Sequence, residues 1–251
     1  MNIKIIVATH KRYWMPHDSI YLPLHVGAEG KYNIGYQPDN TGDNISSKNA
    51  NYCELTGLYW AWKNLKADYI GLVHYRRHFS NGRVLTNKRN RIITKIELEE
   101  KISDNDILLP IPRNYWIETN YSQYAHAHHA IDLDTTREIL KDKYPKYILA
   151  YDKIMKQTIG HRFNMFIMKY VRFDEYCSWL FDILFELEKI LDISSYNKND
   201  CRVFGFLSER LLDVWIEGNG YDYKNLPYVF MERQNWIFKI WDFLNRKVSK
   251  N

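Results

Sequence analysis

The sequence predicts an α/β fold, a central and mostly parallel sheet flanked by helices, of the kind that holds a nucleotide. Three observations carry this. Short apolar runs bounded by polar or turn residues recur at 2–8, 69–73, 106–110 and 163–168, as buried strands do. Between them, apolar residues fall at three- and four-residue steps, as they do on the buried face of a helix. The first run opens directly onto Thr9-His10-Lys11-Arg12, and a strand followed by a polar, basic loop is the usual start of a nucleotide-binding α/β domain.

Taken in order, residues 2–8 are the first strand. Residues 36–50 are rich in Asn, Asp, Gly and Ser and predict a long loop; loops of that length in a compact domain are often functional. Asp39, Asp43, Asn44 and Asn49 give this one groups that suit a ribose, a base or a sugar. Leu55, Leu58, Tyr59, Trp62 and Leu65 predict a helix over 51–66, with Glu54 favourably placed in its first turn. Residues 81–93 are a polar, basic loop. Thr94 and Glu97 form a capping box that opens a short helix, and 106–110 is a strand stopped by prolines. Helices are expected over 135–143 and 146–157, split by Pro145. After the strand at 163–168 come helices at 172–191 and 203–216, the latter ended by Gly218 and Gly220, then a short strand at 228–231. Residues 1–233 form one domain, and 234–251 a basic, Trp-rich amphipathic helix.

The chain is organised around Tyr69-Ile70-Gly71-Leu72-Val73-His74-Tyr75-Arg76-Arg77-His78-Phe79. A buried strand that opens abruptly onto cations is where such a fold holds an anion, since ligands sit outside the carboxyl ends of strands. A solvated basic loop is the alternative; the strand leading in and the flanking histidines speak against it. Further on, Tyr115, Trp116, Tyr121, Tyr124, His126, His128 and His129 crowd one stretch. They read either as a wall over a ligand cleft or as packing under a loop, and both readings stay open.

Several functions are excluded or weakened. No G-x-G-x-x-G or G-x-x-x-x-G-K-[ST] follows the first strand, so neither a dinucleotide fingerprint nor a P-loop is present. Cys53, Cys177 and Cys201 are odd in number and widely spaced, which gives neither a disulfide framework nor a zinc site. The histidines lack the H-E-x-x-H pairing, so no metal or other cofactor is expected. A formal charge of +5, with Lys and Arg interleaved among acids, does not give the continuous basic face a nucleic-acid partner needs. No apolar run reaches the length of a membrane span and the start is too short for a signal peptide, so a cytoplasmic protein is expected.

Read together, Ala8-Thr9-His10-Lys11, Thr41-Gly42-Asp43-Asn44-Ile45-Ser46, residues 54–64, Gly71-Leu72-Val73-His74-Tyr75-Arg76-Arg77, residues 164–168, Tyr176-Cys177-Ser178-Trp179-Leu180-Phe181 and Phe206-Leu207-Ser208-Glu209-Arg210-Leu211 resemble a known family. It comprises bacterial capsular and exopolysaccharide synthesis proteins first grouped as domain-of-unknown-function family 4422. They were later grouped as galactofuranosyltransferases of glycosyltransferase family 111. The resemblance runs over residues 3–233 and implies a GT-A-like fold. It also implies inverting transfer of galactofuranose from UDP-galactofuranose to a lipid-linked surface glycan. Transfer of a pyranose from UDP-galactose or UDP-glucose, and a non-catalytic nucleotide-sugar-binding module, are the alternatives. GT-A enzymes commonly end a strand in Asp-x-Asp to hold a metal; here His74-Tyr75-Arg76 stands in that place, and fixed cations can take over the charge of a leaving diphosphate.

On this basis Glu209 is the expected base, with Asp200 and Asp132 in reserve. Arg76 and Arg77 are expected at the diphosphate, helped by His74 or His78; because alternate residues of an extended segment point opposite ways, one Arg should face the ligand. Thr9, His10 and Lys11 are placed near the nucleotide, Asp43, Asn44 and Asn49 near uridine or donor sugar, Asn164 at a sugar hydroxyl, and Tyr124, His126 and His128 on the acceptor side. The apolar face of 234–251 could lie on the inner surface of the cytoplasmic membrane, on the domain itself or on a second subunit of a homo-oligomer.

Overall fold

A computed structural model describes residues 1–232; the helix expected over 234–251 lies outside the described residues. Strands β1 (Ile3–Thr9), β2 (Tyr21–His25) and β3 (Gln37–Pro38) come first, then helices α1 (Asn49–Tyr52) and α2 (Leu55–Asn64). Strands β4 (Tyr69–His74) and β5 (Arg77–Phe79), helix α3 (Lys95–Ile102), and strands β6 (Ile107–Pro110) and β7 (Arg113–Asn114) follow. Helices α4 (Asn120–Ala127), α5 (Ala130–Lys143) and α6 (Ile148–Lys156) lead to strands β8 (Ile159–Gly160) and β9 (Phe166–Lys169). Helices α7 (Tyr170–Ile190) and α8 (Val203–Asn219) and strands β10 (Lys224–Leu226) and β11 (Tyr228–Phe230) close the described chain.

The main sheet runs β10-β6-β9-β4-β1-β2-β3. Its pairs are parallel except at β9, which runs against both β4 and β6. The carboxyl ends of β1, β4 and β6 therefore share one edge with the start of β9. Gly71 lies where β9 crosses β4: a Cβ there would meet Ile167 Cγ1 at 2.9 Å and the Phe166 carbonyl at 3.0 Å. Both faces are covered, as a largely parallel sheet requires. Ile6, Ala8, Ile70, Leu72, Phe166 and Met168 join the helices α2 and α5–α8 in the larger core. Ile5, Val7, Tyr69, Val73 and Ile167 meet Leu98 and Ile102 of α3 in the smaller one.

Three expectations need correction. The helix over 51–66 is two helices, because Cys53 has φ +53° and interrupts the i→i−4 ladder. The strand at 163–168 begins only at Phe166; Phe163 and Asn164 sit at φ +82° and +50° and turn the chain into it. The turn after β4 is tight, and Arg77-His78-Phe79 is a strand paired with β11. The capping box of α3 is formed with both reciprocal bonds, and α8 ends at left-handed Gly220.

The loop over 36–50 is pinned by a fully buried Asp39. Its carboxylate accepts from the backbone N–H of Gly27 (2.8 Å) and Ala28 (3.0 Å) and from the hydroxyls of Ser46 (2.5 Å) and Thr56 (2.6 Å). One side chain thus ties β2, the loop and α2 together. Asp39→Ala strips four buried donors of their acceptor and should cost on the order of 3 kcal/mol or more; a urea-midpoint change equivalent to less than about 1 kcal/mol would contradict this role.

Candidate active site

The carboxyl edge of the sheet gathers a row of cations, carboxylates and aromatic rings. At the end of β1, the buried Thr9 hydroxyl donates to the Lys11 carbonyl at 2.7 Å and fixes the turn. That turn presents His10 and Lys11, and the Lys11 ammonium lies 5.3 Å from the ring of Tyr75. Tyr13 and His10 meet the same ring edge-on, at 4.8 and 5.6 Å. At the end of β4, His74 Nδ1 accepts the backbone N–H of Arg76 at 3.3 Å. Burial and the neighbouring Arg77 and Arg76 push the His74 imidazole down to about 2. His74 is therefore a neutral group at physiological pH and adds no positive charge.

Arg76 and Arg77 diverge as the strand geometry requires. Arg76 stays half-exposed, 3.7 Å from Glu232. Arg77 turns inward, its guanidinium 4.0 Å from the ring of Phe163. Burial weakens its hold on the proton, and the negative charges of Glu54 and Glu209 offset that cost. His78 is a correction: it points into the core, fully buried, against Tyr21, and burial pushes it down to about 4. It cannot reach a diphosphate beside Arg77.

Around Arg77 three chain segments converge. Asn164 Nδ2 donates to Glu54 Oε1 (2.9 Å) and to the Gly205 carbonyl (3.0 Å), while its Oδ1 accepts from Ser208 Oγ (2.9 Å). At Gly205 the helix packs closely on the Cys53 turn: a Cβ there would lie 3.2–3.3 Å from the Cys53 side chain. Glu209 Oε1 accepts the backbone N–H of Phe163 at 3.0 Å, and its other oxygen lies 4.0 Å from Arg210. Its side chain is 20% exposed, enough to meet a ligand. Burial raises the Glu54 carboxyl, and the charge of Glu209 adds to the effect, against the Asn164 bond and Arg77. The arrangement can hold an anion on a guanidinium while presenting carboxylates to a hydroxyl on the other side.

Sequence reasoning placed Asn164, Arg77 and Glu209 here but missed Glu54, which reads from sequence as a helix-start acid. It also missed Phe163, the ring on which Arg77 and, at 5.7 Å, Arg113 lie. Other expected residues fall elsewhere. Asp43 accepts from Tyr59 Oη, and its carbonyl accepts from Asn64 at the far end of α2. Asn44 closes its own loop through Gly42 and Ser46, and Asn49 bonds the Cys53 carbonyl and Thr56. Asn49 thus holds the Cys53 turn that carries Glu54, while Asp43 and Asn44 bond within their loop and to α2.

Asp132, 1% exposed, is consumed by the hydroxyls of Tyr124 (2.7 Å) and Tyr196 (2.6 Å), so it is unsuited to take a substrate proton. Asp200 pairs with His128 Nδ1 at 2.8 Å and His129 Nε2 at 3.5 Å. Burial alone would raise its carboxyl; the bond and charge of His128, together with the bonds from Asn197 and Asn199, outweigh that and hold it low. His128 stacks on Phe206 at 4.3 Å, and His126 Nδ1 lies 2.7 Å from Glu118. Among the described residues no group of three or more His, Cys, Asp or Glu is arranged to hold a metal ion.

The buried histidines set a pH dependence. His74 and His78 are held at about 2 and about 4, and burial also lowers His10, His25 and His128. An unfolded histidine titrates near 6.5. The unfolded chain therefore binds more protons below that value, and stability present above pH 6.5 is lost as the pH falls toward 4. Between pH 7 and 5, His74 and His78 should each remove about 2 kcal/mol. Urea unfolding at the two pH values measures this, and His78→Phe should flatten the dependence by about 2 kcal/mol; an unchanged profile would refute the assignment.

Two comparisons bear on this geometry. A solved structure of WbbM, a bifunctional glycosyltransferase in its apo state, superposes with a TM-score of 0.87 at 31% sequence identity. The match covers 93% of this chain and 46% of the WbbM chain, so this chain spans about half the length of that protein. The GT-A-like α/β architecture is thus the one adopted. No curated protein matches the sequence. Residues 4–220 match the model of a family described as a domain of unknown function, DUF4422, and with most of its length matched the chain belongs to that family.

Proposed function

We propose that this protein is an inverting glycosyltransferase. It would move galactofuranose from UDP-galactofuranose to a sugar of a lipid-linked cell-surface polysaccharide. The observation that carries the reading is the pairing of Glu54 and Glu209 with Arg77 at the carboxyl edge of the sheet. The likeness to WbbM supports glycosyl transfer as the chemistry; the sequence resemblance to galactofuranosyltransferases supports the donor.

Inverting transfer needs an acceptor-side base, a fixed donor and charge compensation for the leaving diphosphate. Glu209 is the base in this reading: its Oε1 is fixed by the Phe163 N–H, its side chain is 20% exposed, and its other oxygen lies 4.0 Å from Arg210. Arg77, with Arg76 and Lys11 along the same edge, meets the diphosphate; a guanidinium suits it through its two-pronged donor geometry. The half-buried ring of Tyr13, set edge-on against the buried Tyr75 beside His10 and Lys11, offers the uracil an aromatic neighbour. Glu54, behind Asn164, holds Arg77 and is placed to accept a donor-sugar hydroxyl. Among the described residues no helix is long and apolar enough to cross a membrane. Contact with the membrane that carries the acceptor is assigned to the basic sequence of 234–251.

Turnover across UDP-galactofuranose, UDP-galactopyranose and UDP-glucose tests the donor. Faster transfer from a pyranose donor would refute the galactofuranose assignment. Glu209→Gln should lower kcat by about 100-fold or more while UDP binding persists. Glu54→Gln should act mainly on donor KM, because it supports Arg77 and does not take the proton. The reverse pattern would exchange the two roles. With cations where a metal motif would stand, transfer should continue in EDTA; loss restored by a divalent ion would overturn the cation argument.

A further inference from the structure

Trp116 is the most exposed tryptophan among the described residues, at 81%, and the backbone beneath it has φ +61°. Few residues other than glycine adopt that conformation without strain, and strain of this kind persists only where the surroundings enforce it. Here they do. The Trp116 N–H donates to Asn114 Oδ1 at 2.8 Å, and the Ile117 N–H to the Tyr115 carbonyl at 2.7 Å, closing a three-residue turn. The turn is anchored by the pairing of β7 with β8 and by the Tyr115 N–H to the Thr158 carbonyl at 2.9 Å. A rigid frame therefore lifts a large flat ring into solvent, and no core packing accounts for it.

The position of that ring gives it a use. The turn follows β7, which comes shortly after β6; β6 lies two strands along the main sheet from β4, on the opposite flank from β1 with its His10 and Lys11. Tyr115 lies under Arg162 at 5.4 Å and Arg113 at 5.9 Å, and Arg113 also covers Phe163, the ring that carries Arg77. Trp116 thus stands one residue beyond Tyr115, at the end of a series of rings and guanidinium groups that leads through Arg113 and Phe163 to Arg77. Ile117 is 64% exposed beside it, and the buried Glu118, two residues on, holds the exposed His126 as a polar neighbour. A flat apolar face with polar groups at its border matches one chemistry well, a sugar ring with C–H bonds on its face and hydroxyls around its edge.

We propose that Trp116 is a stacking platform for the acceptor saccharide, a role that rests on the glycosyl-transfer reading above. The test is kinetic, with UDP-galactofuranose as donor and octyl glycosides of galactose, glucose and N-acetylglucosamine as acceptors. Trp116→Ala should raise acceptor KM by about tenfold or more, with the loss falling on KM rather than kcat and donor KM little changed. Trp116→Phe should recover most of it. Trp116→Gly should lose acceptor affinity while keeping or raising the melting temperature, since glycine suits the turn; a ring that merely supports the fold would show the opposite. Unchanged acceptor KM in Trp116→Ala, or a melting temperature lowered by several degrees in Trp116→Gly, would overturn the proposal. If the wild type transfers nothing and binds no UDP, the glycosyl-transfer reading fails. Saturation-transfer NMR with the same glycosides then decides the platform alone: binding lost in Trp116→Ala upholds it, and no binding to the wild type overturns it.

Discussion

Asn164 occupies a left-handed position at the mouth of β9, and its amide reaches three segments that are far apart in the chain. It donates to Glu54 before α2 and to the Gly205 carbonyl in α8, and accepts from Ser208 one turn further along that helix. The neighbouring left-handed residue, Phe163, uses its N–H to hold Glu209, and left-handed Cys53 delivers Glu54 from the other side. Three strained positions thus converge on two carboxylates. Strain of this kind costs of order 1–3 kcal/mol at each residue, and it persists here because the cores beneath over-determine the backbone. Take the Asn164 amide away and Glu54 loses the side-chain hydrogen bond that most offsets its burial.

Charge around this bridge is arranged by burial as much as by residue type. His74 and His78 have the composition of a cationic patch, but burial makes both neutral. The working cations are then Arg76, Arg77 and Lys11, with Arg113, Arg162 and Arg210 farther along. Arg210 and Arg162 are themselves buried, at 4% and 3% exposure; the two terminal nitrogens of Arg210 donate to the Phe206 carbonyl and Gln123, while its Nε has no partner among the described residues. Burying a guanidinium is tolerated only where hydrogen bonds and opposite charge compensate. Arg77 has the charges of Glu54 and Glu209 for this purpose, so the cation and the carboxylates stabilise one another in the absence of a ligand.

Much of the fold was legible because buried strands and amphipathic helices leave periodic signals. The strand at 69–74, the Thr94–Glu97 capping box and the helix over 170–190 were all visible in that way. What escaped were elements defined by partners rather than by pattern. Strand β2, with Pro23 inside it, owes its existence to pairing with β1. The antiparallel direction of β9 has no local signature at all. Glu54 reads from sequence as a dipole-compensating acid, and only the Cys53 reversal turns it toward Arg77. Asp132 illustrates the opposite error: an acid near histidines and tyrosines looks chemical until both its oxygens are found occupied by tyrosine hydroxyls.

The coupling between cation and carboxylates has a consequence for the order of events at this edge. With no anion present, burial raises the Glu54 carboxyl, and the bond from Asn164 and the charge of Arg77 work against that rise. Burial likewise weakens the hold of Arg77 on its proton, and the charges of Glu54 and Glu209 offset that cost. In the proposed reaction a diphosphate on Arg77 would take up part of its positive charge. Glu54 would then lose part of its compensation and hold a proton more readily, while the Asn164 amide stays in place beside it. A single buried guanidinium shared between an anion and a carboxylate would thus couple the occupancy of one to the charge of the other without any movement of the backbone.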